Sequence, residues 1–528
     1  MGVDTTCSVP LIAHIEPRLA YHHRDMRIPK WLDRPVVAVL AAGIIAGCLN
    51  FTYLARPSEH VFDEVYYAKD ACLYIGGDAK ECQIKDSGEK YWVRERGEVG
   101  SWVHPPMGKW MIAAGEALFG ADPFGWRFSA AVFGALTVMI TSSMMWLFFR
   151  SSLWAFLAGL LLATDGLFFV QSRLALLDVF LAFWVALGFL FLVLDRRWIH
   201  RRGNLADLDT DQHETTVPSG LSPETSAAVL PPETGLAPDT PVVTELPPTV
   251  PSPLWRPWRL AAGLALGAAT ATKWSGAFAL VGAIVLSMIW ETARRRRVKA
   301  AHPFRSAIRQ EALGMILMLA LAPAVVYVAA YIRWWMQNGF LPDQWWELQT
   351  AMREFHATLS RLKEGGKLAH PYQSRPWDWF PMARPVNFYF EGPGAQVLDL
   401  GNPALFWGSI IAIPYAVWRC RRDPRAQLLV VAVFAQYLPW FLPPLVDRVQ
   451  FFFYMTPIVP FMVLAAAYAL RDLARFRPRS ATRRPFAPLA AGLIVVHLAL
   501  FAYFWPVLTA SPLTYESWHA RIWFPGWF

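Results

Sequence analysis

The sequence predicts an all-α polytopic membrane protein. Hydrophobic residues make up 55% of its 528 residues and charged residues only 17%, a composition too apolar for an ordinary soluble enzyme. A helix needs about 20 largely apolar residues to cross roughly 30 Å of hydrocarbon. Four stretches meet that requirement outright, namely 35–54, 126–149, 312–336 and 486–508. The net charge of +9 does not indicate nucleic-acid binding, because the basic residues cluster between apolar stretches.

Further apolar stretches bring the expected number of crossings to about eleven. A stretch of about 15 residues also suits a buried or re-entrant helix, so the short members leave both interpretations open. Two connections are expected to be tight outer turns, Leu167 to Arg173 and Lys273 to Gly276. The expected spans are 35–54, 126–149, 153–170, 174–195, 258–272, 275–292, 312–336, 403–420, 426–444, 450–470 and 486–508.

The distribution of basic residues predicts the orientation of the chain. Short connections rich in arginine, such as Arg294 to Arg297 and Arg419 to Arg425, belong in the cytoplasm by the positive-inside rule. The resulting plan has five parts, which alternate between the two sides of the membrane. They are a cytoplasmic N-terminal segment 1–34, spans one to four at 35–195 with a first outer loop 55–125, a cytoplasmic connection 196–257, spans five to eleven at 258–508 with a second outer loop 337–402, and an extracytoplasmic C-terminus 509–528.

Residues 203–253 differ in composition from the rest of the chain. They are rich in Pro, Thr and Glu, and they carry eight acidic residues without one Lys or Arg. Such a segment cannot bury enough apolar surface to fold alone. We therefore expect a disordered, acidic cytoplasmic linker without a catalytic role.

Two of the five cysteines, Cys72 and Cys82, lie in the first outer loop. An oxidising compartment would permit a disulfide between them. Nothing in their spacing demands one, so a disulfide and two free thiols are both left open.

Two adjacent acids, Asp63 and Glu64, follow the first predicted span. Carboxylates at the edge of a bilayer are costly unless they face water, a cation or a substrate. Neighbouring residues on a helix point about 100° apart, so the two acids should have different partners. We expect Asp63 to act as a general base and Glu64 to position a group or to pair with a cation. The alternative is a solvated helix start, where both acids are favoured by the helix dipole.

This acid pair suits the transfer of a sugar from a polyprenyl phosphate to a hydroxyl group. The leaving phosphate is already an anion and needs cations, whereas the acceptor hydroxyl needs one base. His104 and Lys109 begin and end a His-Pro-Pro-Met-Gly-Lys motif, whose prolines stiffen the chain around both side chains. We expect the pair to bind the donor phosphate. An interfacial loop with a snorkelling lysine is the alternative.

Four residues near the predicted outer turns are further candidates for donor binding. Arg173 and Asp178 flank one turn, and Lys273 and Trp274 form the other. Arg173 and Asp178 are structural instead if each pairs with a neighbour. Lys273 is structural if it reaches interfacial water beside a belt tryptophan. Both interpretations stay open for all four.

The second outer loop and the tenth span supply the last candidates. His370, Tyr372 and Trp377 combine aromatic faces with polar groups, which suits the binding of a sugar or an acceptor peptide. Such residues also crowd membrane interfaces for amphipathic reasons. Arg448 precedes an aromatic-rich span, where it would either neutralise a phosphate or pair with Asp447.

Six motifs, in the same order along residues 62 to 461, resemble those of the protein O-mannosyltransferases, a family of membrane glycosyltransferases that use lipid-phosphate sugars. The resemblance implies a GT-C-type glycosyltransferase fold with about eleven transmembrane helices. The two long extracytoplasmic loops are expected to carry short interfacial helices. The matching motifs are Phe62-Asp63-Glu64, His104-Pro105-Pro106 with Lys109, Ser172 to Asp178, Thr272 to Gly276, His370-Pro371-Tyr372 with Trp377, and Arg448 with Phe452 to Pro457.

The resemblance also implies an activity. An inverting enzyme would take mannose from polyprenyl phosphate mannose and place it on Ser or Thr of an exported protein, outside the cytoplasm at the cell membrane. In the family the position of Asp63 is the favoured base, the position of Glu64 is also needed, and the position of Arg173 is another important one. The loop 337–402 is too short for the β-trefoil domain of eukaryotic members, so the chain is similar to the bacterial, particularly the actinobacterial, branch.

Two other functions fit parts of the sequence. A sister enzyme would modify a lipid or a cell-wall glycan, and a transporter would move a lipid-linked sugar, although the inverted repeats typical of transporters are not evident. The expected partners are the lipid-linked donor, Ser/Thr-rich exported proteins and the bilayer, with the protein export channel as a further candidate and no nucleic acid. We expect no cofactor and no divalent metal, because Asp63, Glu64 and His104 form no dedicated metal motif.

Overall fold

The computed structural model describes residues 34–84, 103–202, 254–362, 366–392, 394–442, 445, 447–478 and 484–528. The described part of the chain is mostly helical, which confirms the predicted all-α class in its main feature. The predictions for the N-terminal segment before residue 34 and for the acidic linker 203–253 lie outside the described residues.

The first half of the chain forms helices up to the acidic linker. They are α1 (Pro35–Phe51), α2 (Glu64–Tyr74), α3 (Met107–Phe119), α4 (Pro123–Phe149), α5 (Ser152–Ala163), α6 (Gly166–Gln171) and α7 (Leu177–Arg202).

The second half adds further helices and two strands. They are α8 (Pro257–Thr272), α9 (Gly276–Arg297), α10 (Pro303–Ile316), α11 (Ala322–Ala330), α12 (Ile332–Asn338), α13 (Pro342–Thr358), α14 (Pro376–Trp379), β1 (Val386–Phe390), β2 (Gln396–Asp399), α15 (Pro403–Arg419), α16 (Pro424–Tyr437), α17 (Val459–Arg475), α18 (Ala487–Leu508) and α19 (Tyr515–His519). A π-helical turn at Leu317–Leu321 joins α10 to α11, and 3₁₀ turns lie at Leu438–Phe441, Phe452–Met455 and Pro525–Trp527.

Local sequence explains where many of these helices begin. Proline occupies the first turn of α1, α4, α8 and α10, where its missing N–H would have no intrahelical partner anyway. Asp122 caps α4 by accepting hydrogen bonds from the backbone N–H of Phe124 at 2.9 Å and of Gly125 at 2.7 Å. Side chains of Asn402 and Asp423 cap α15 and α16 in the same way.

Five segments are long and apolar enough to cross a membrane, by length and composition: α4, α7, α9, α10 to α11 taken together, and α18. Each of the eleven predicted spans contains a helix, but α1 and α5 have only 17 and 12 residues. Helix α7 is the most enclosed of the five, with 72% of its apolar window buried against 22–50% for the others. It therefore lies at the centre of the bundle, where it packs against α8 and α4.

The predicted third span and the turn after it need correction. The chain breaks between α5 and α6, because the side chain of Asp165 caps α6 by accepting from the N–H of Phe168 at 2.9 Å. The other carboxylate oxygen of Asp165 accepts from the N–H of Asn402 at 2.9 Å, which ties the break to the start of α15. Most of the predicted turn from Leu167 to Arg173 is consequently helical, and the turn proper follows α6. The other predicted turn, Lys273 to Gly276, lies between α8 and α9 as expected.

The two long outer loops contain most of the remaining structure. The first carries α2 and α3, and the second carries α13, α14 and an antiparallel hairpin of β1 and β2. The hairpin pairs Val386 with Asp399 and Asn387 with Leu398, and a bulge follows Asn387. This sheet departs from the all-α prediction. Its residues are nearly all buried, so it forms part of the core beneath the second loop.

Candidate active site

The acid pair lies where the first outer loop enters α2. Phe62, directly before Asp63, has a left-handed backbone with φ of 51°, which is uncommon for a bulky residue. The ring of Phe62 makes edge-on contacts with four aromatic side chains from distant parts of the chain. Their centroid separations from Phe62 are 5.8 Å for His370, 5.1 Å for Phe388, 5.7 Å for Phe451 and 5.9 Å for Phe453. The surrounding structure thus holds the turn that presents the acids.

Glu64 is fully buried and paired with a cation. Its carboxylate accepts two hydrogen bonds from the guanidinium of Arg127, at 2.8 Å from Nε and 2.7 Å from Nη2. The backbone N–H of Val61 at 3.0 Å and of Ala175 at 2.8 Å donate to the same carboxylate. A bidentate pair of this kind is among the stronger polar contacts in proteins. A solvated helix start is therefore wrong for Glu64.

Arg127 connects this carboxylate to the loop that follows α1. Besides Glu64, it donates to the carbonyl oxygens of Leu54 at 3.3 Å, Pro57 at 2.6 Å and Glu59 at 3.0 Å. Five hydrogen bonds from one buried guanidinium offset the cost of removing it from water. The pair thereby fixes the start of α2 relative to α4 and to the turn before α7.

Asp63 lies in a different environment from its neighbour. Its side chain is half-buried, and its carboxylate accepts a hydrogen bond from the hydroxyl of Tyr67 at 3.3 Å. Burial raises the pKa of Asp63 to about 6, although the nearby Lys273 and the Tyr67 hydroxyl both act to lower it. A carboxylate of this kind is mostly ionised at neutral pH and is a stronger base than an ordinary aspartate.

Lys273 supplies fixed positive charge beside Asp63. Its ammonium group bridges both oxygens of Asp178, at 3.0 Å and 2.9 Å. The same ammonium lies over the rings of Tyr454, 4.4 Å from the centroid, and Phe453, at 5.4 Å. Asp178 is thus paired with a neighbour, as its structural interpretation allowed, whereas Lys273 is a buried ion-pair partner and not a lone lysine in interfacial water. Their partnership joins the start of α7 to the turn between α8 and α9.

His356, on α13, joins the two outer loops to the segment before α17. Arginine can only donate, so Nδ1 of His356 accepts from Nη2 of Arg448 at 3.1 Å. A carbonyl oxygen can only accept, so Nε2–H of His356 donates to the backbone of Val103 at 2.9 Å. Both bonds require the neutral imidazole. Consistently, burial and the charge of Arg448 lower the pKa of His356 to about 4.

His104 follows Val103 and lies between His356 and Tyr67, the residue that contacts Asp63. Its ring centroid is 5.1 Å from that of His356 and 6.0 Å from that of Tyr67. Burial, followed by the positive charge of Lys273, holds the pKa of His104 well below its usual value. His104 is therefore neutral at physiological pH, so the positive charge near it belongs to Lys273 and Arg448.

Two cations that the sequence assigned to the donor phosphate have other partners. Lys109 forms a buried ion pair with Asp70 at 2.8 Å, so its charge is compensated within the contact between α2 and α3. Arg173 donates to the carbonyl oxygens of Asn50 at 3.0 Å, of Tyr53 at 3.0 Å and of Thr52. These carbonyls belong to the C-terminal end of α1, where backbone acceptors lack intrahelical donors.

The predicted acceptor residues fall in different places. His370 lies against Phe62, and its Nδ1 accepts from the N–H of Tyr372 at 3.2 Å. Tyr372 is half-buried next to His370, with ring centroids 5.9 Å apart. Trp377 is 49% exposed and lies beside the guanidinium of Arg375 on the surface. The structure thus brings His370 and Tyr372 close to the acid pair, whereas Trp377 faces outward.

Trp274 links the turn after α8 to the second outer loop. Its indole N–H donates to the hydroxyl of Tyr327 at 2.8 Å, and that hydroxyl donates to Gln349 at 2.6 Å. The indole ring also lies 6.0 Å from the ring of His356. Trp274 therefore positions α13 beside the site.

Several residues of the site escaped the sequence analysis. Arg127 and Asp70 complete the buried ion pairs, Tyr67 contacts the base, and His356 orders the loops. A signal existed for Arg127, which is a lone arginine in an apolar stretch and therefore needs a buried partner. Tyr67 lies one helical turn after Asp63, at the spacing where side chains on a helix meet. Nothing local distinguishes His356 from an ordinary loop histidine.

A disulfide between Cys72 and Cys82 closes the C-terminal end of α2. It resolves the two alternatives in favour of the bridge. No group of three or more His, Cys, Asp or Glu suited to a metal ion occurs among the residues that the structure describes. The carboxylate oxygens of Glu64 are taken up by Arg127 and backbone N–H groups, so Glu64 does not offer a ligand position.

Comparison with known proteins assigns the chain to a family. Residues 40–202 match the family described as dolichyl-phosphate-mannose-protein mannosyltransferase, and residues 340–527 match the C-terminal four TMM region of protein-O-mannosyltransferase. The polyprenol-phosphate-mannose–protein mannosyltransferase of Mycolicibacterium smegmatis is 31% identical over 535 residues, which cover 95% of this chain and 93% of the relative. The corresponding protein of Mycobacterium tuberculosis is 31% identical over 539 residues, covering 95% and 92%.

A solved structure shows the same fold. The S. cerevisiae protein O-mannosyltransferase Pmt1–Pmt2 complex, bound to the sugar donor, superimposes with a TM-score of 0.67 at 13% identity, covering 95% of this chain and 93% of the yeast chain. That likeness concerns the fold, and it supports the predicted GT-C-type architecture. The family predicted from the six motifs is confirmed: the chain is a membrane glycosyltransferase that belongs to the protein O-mannosyltransferase family.

Proposed function

We propose that this protein transfers mannose from polyprenyl phosphate mannose to Ser or Thr hydroxyls of exported proteins, with inversion, at the extracytoplasmic face of the cell membrane. The observation that carries the proposal is the contrast within the acid pair. Glu64 is locked by Arg127, whereas Asp63 is half-buried, has a raised pKa and lies beside the fixed charge of Lys273. One available base near positive charge is what the reaction requires.

Asp63 acts as the general base in this proposal. Its carboxylate takes the proton of the acceptor hydroxyl as the hydroxyl oxygen forms a bond to the anomeric carbon of mannose. The bond between that carbon and the phosphate oxygen breaks, and its electron pair leaves with the polyprenyl phosphate. The phosphate departs as an anion, so no general acid is needed. Attack from the face opposite the phosphate inverts the anomeric configuration.

Lys273 and Arg448 stabilise the departing phosphate in this proposal. Lys273 is held by Asp178 and two aromatic faces, and Nε of Arg448 has no hydrogen-bond partner among the described residues. Preorganised donors of this kind favour charge that develops in the transition state. Neutral His104 adds a hydrogen bond. Lys273 is itself paired with Asp178, but it lies close enough to Asp63 to lower the pKa of that carboxyl. Lys109 and Arg173, which are bonded to Asp70 and to the end of α1, hold the scaffold instead.

We further propose that transfer needs no divalent metal. The support is the saturated carboxylate of Glu64, which leaves Asp63 as the one member of the acid pair that can face the substrates. Activity should persist after dialysis against a chelator. Loss of activity that a divalent cation restores would contradict this part of the proposal.

The membrane arrangement follows from the same reasoning. The eleven predicted spans place α2, α3 and the second loop outside and the arginine-rich end of α9 inside, with the N-terminus in the cytoplasm. The disulfide between Cys72 and Cys82 supports an oxidising compartment for the first loop. The test introduces a single cysteine by Asp78→Cys or Arg296→Cys and treats intact cells with an impermeant thiol reagent. The reagent should label the cysteine at position 78 and spare the one at position 296.

The direct test is an assay with purified full-length protein, polyprenyl phosphate mannose and a Thr-rich peptide. Asp63→Asn keeps the shape of the side chain and removes the base, so transfer should fall by about 10²-fold to 10⁴-fold. The control is Asp78→Asn, an exposed position in the same loop. Wild-type rates in Asp63→Asn would refute the assignment of the base. Mannose appearing on lipid or glycan but not on peptide would refute the assignment of the acceptor.

A further inference from the structure

A second site lies at the end of the helix bundle opposite the active site. A cavity of about 920 Å³ opens between the C-terminal parts of α7 and α9, helix α10 and the turn between α15 and α16. Helix α9 has 22 residues and begins next to Lys273, so its arginine-rich end lies about 30 Å from the active site. This length equals the thickness of the hydrocarbon core, which places the cavity at the other face of the membrane.

The cavity combines positive charge with apolar walls. Among the described residues that line it, none is acidic. We call it the arginine pocket, defined by six arginines and by the apolar side chains of α9 and α10 that face them. The arginines are Arg196, Arg294, Arg296, Arg297, Arg421 and Arg422. The principal apolar residues are Val285, Ile289, Phe304, Ile308 and Ile316.

Two buried donors at the pocket lack partners. Arg294 is 4% exposed, and its Nη1 has no hydrogen-bond partner among the described residues. Thr292 is 8% exposed, and its hydroxyl likewise has none. Buried polar groups are nearly always satisfied in proteins, so two such donors lining one cavity indicate a missing acceptor.

A rigid ion network orients these donors. Glu291 accepts from Arg294 at 2.9 Å to Nε and 2.6 Å to Nη2, which turns the remaining nitrogen, Nη1, away from that carboxylate. The whole network contains three carboxylates and four guanidinium groups, so it retains one positive charge. Its members are Asp195, Glu291, Glu311, Arg256, Arg259, Arg294 and Arg295.

We propose that the arginine pocket binds an anionic membrane phospholipid, whose phosphate lies among Arg294, Arg296 and Arg422 and whose acyl chains follow α9 and α10. This site is separate from the transfer reaction. Basic pockets between transmembrane helices suit anionic head groups. A soluble phosphate would use the arginines alone, whereas the exposed Phe304 and Ile308, at 56% and 45%, provide the apolar surface that an acyl chain covers.

Native mass spectrometry of the detergent-purified full chain, titrated with phosphatidylglycerol, tests the proposal. The pocket variant is Arg296→Glu with Arg422→Glu, two exposed positions outside the buried network. The matched control is Arg305→Glu with Arg309→Glu, which changes the net charge equally on exposed positions of α10 outside the pocket. We expect the pocket variant to bind phosphatidylglycerol about 10- to 30-fold more weakly, because each basic side chain contributes to head-group attraction, and the control to bind as wild type.

Four outcomes would overturn the proposal. The first is that the control variant loses as much phosphatidylglycerol binding as the pocket variant, and the second is that phosphatidylcholine binds as tightly as phosphatidylglycerol. The third is that inorganic phosphate displaces the bound phosphatidylglycerol completely. The fourth is that the lipid binds only after deletion of residues 203–253, which would make the acidic linker the occupant. Mannosyl transfer in detergent serves as the check on folding, since the arginine-rich end of α9 is about 30 Å along that helix from the turn that carries Lys273. Wild-type transfer together with weakened lipid binding supports the proposal.

Discussion

The raised pKa of Asp63 makes a quantitative prediction about the pH dependence of transfer. Because a general base works only when deprotonated, activity is present above its pKa and is lost as the pH falls through it. Burial raises the pKa of Asp63 to about 6 from its ordinary value of 3.8. The ionised fraction is then about 0.9 at pH 7 and about 0.1 at pH 5, so kcat/KM should fall about tenfold over this range. An aspartate at its ordinary pKa would lose less than about a tenth of its activity.

The assay measures initial rates of mannose transfer to a Thr-rich peptide between pH 5 and pH 8, with purified protein. Tyr67→Phe removes the hydroxyl that lowers the pKa of Asp63, so the acidic limb of the profile should move to higher pH. Tyr74→Phe, on the same helix, is the matched control and should leave the limb in place. A wild-type profile that is flat from pH 5 to pH 7, or an unchanged limb in Tyr67→Phe, would refute the reasoning.

Three further predictions concern buried charge. Glu64→Gln leaves Arg127 without its charged partner and should lower the free energy of unfolding by about 3–5 kcal/mol. Its melting temperature should fall below that of wild type and of the control Glu59→Gln. A wild-type melting temperature combined with lost transfer would instead make Glu64 a direct participant in the reaction. Arg173→Lys cannot reach the carbonyls at the end of α1 together and should also lower the melting temperature, so unchanged melting would contradict its capping role. Burial raises the pKa of Glu116 to about 9, so between about pH 5 and pH 9 the folded state retains a proton that the unfolded state has lost. The free energy of unfolding should therefore decline as the pH rises through this range. Glu116→Gln should flatten the decline, and an equal fall of melting temperature with pH in the variant and in wild type would contradict the prediction.

Helical geometry was sufficient to predict that the two acids have different partners. Adjacent residues at the start of a helix point in different directions, and in the structure Glu64 pairs with Arg127 whereas Asp63 accepts from Tyr67. The order of the motifs along the chain was sufficient for the family. Apolar stretches likewise located a helix in every predicted span, because the bilayer requires internally satisfied backbone.

The partners of the buried charges were beyond the sequence. Glu64 and Arg127 are 63 residues apart, and Lys273 and Asp178 are 95 apart, so no local pattern pairs them. Lys109 had a candidate phosphate role because a proline-stiffened turn was expected to hold it with His104 at the interface, whereas the carboxylate that neutralises it lies on the preceding helix. Separation along the chain therefore concealed which carboxylate neutralises each buried cation.

The sequence analysis also missed two short structural features that lie among apolar residues. The break at Asp165 carries the signal of a helix cap, an aspartate followed by glycine, but the surrounding hydrophobicity suggested one continuous span. The hairpin of β1 and β2 consists of five and four residues, which are too few for alternation to separate from an aromatic-rich loop. Both features are stabilised by contacts with distant helices.

The neutral imidazole of His356 has a consequence for substrate exchange. It accepts from Arg448 and donates to Val103, so residues that precede α3 and α17 are bonded to the same side chain of α13. Neither segment can swing away alone without breaking one of these half-buried bonds, which leaves a donor or acceptor without its partner. Entry of a polypeptide and exit of its modified form should therefore involve a joint displacement of all three segments, with this single ring as their common attachment point.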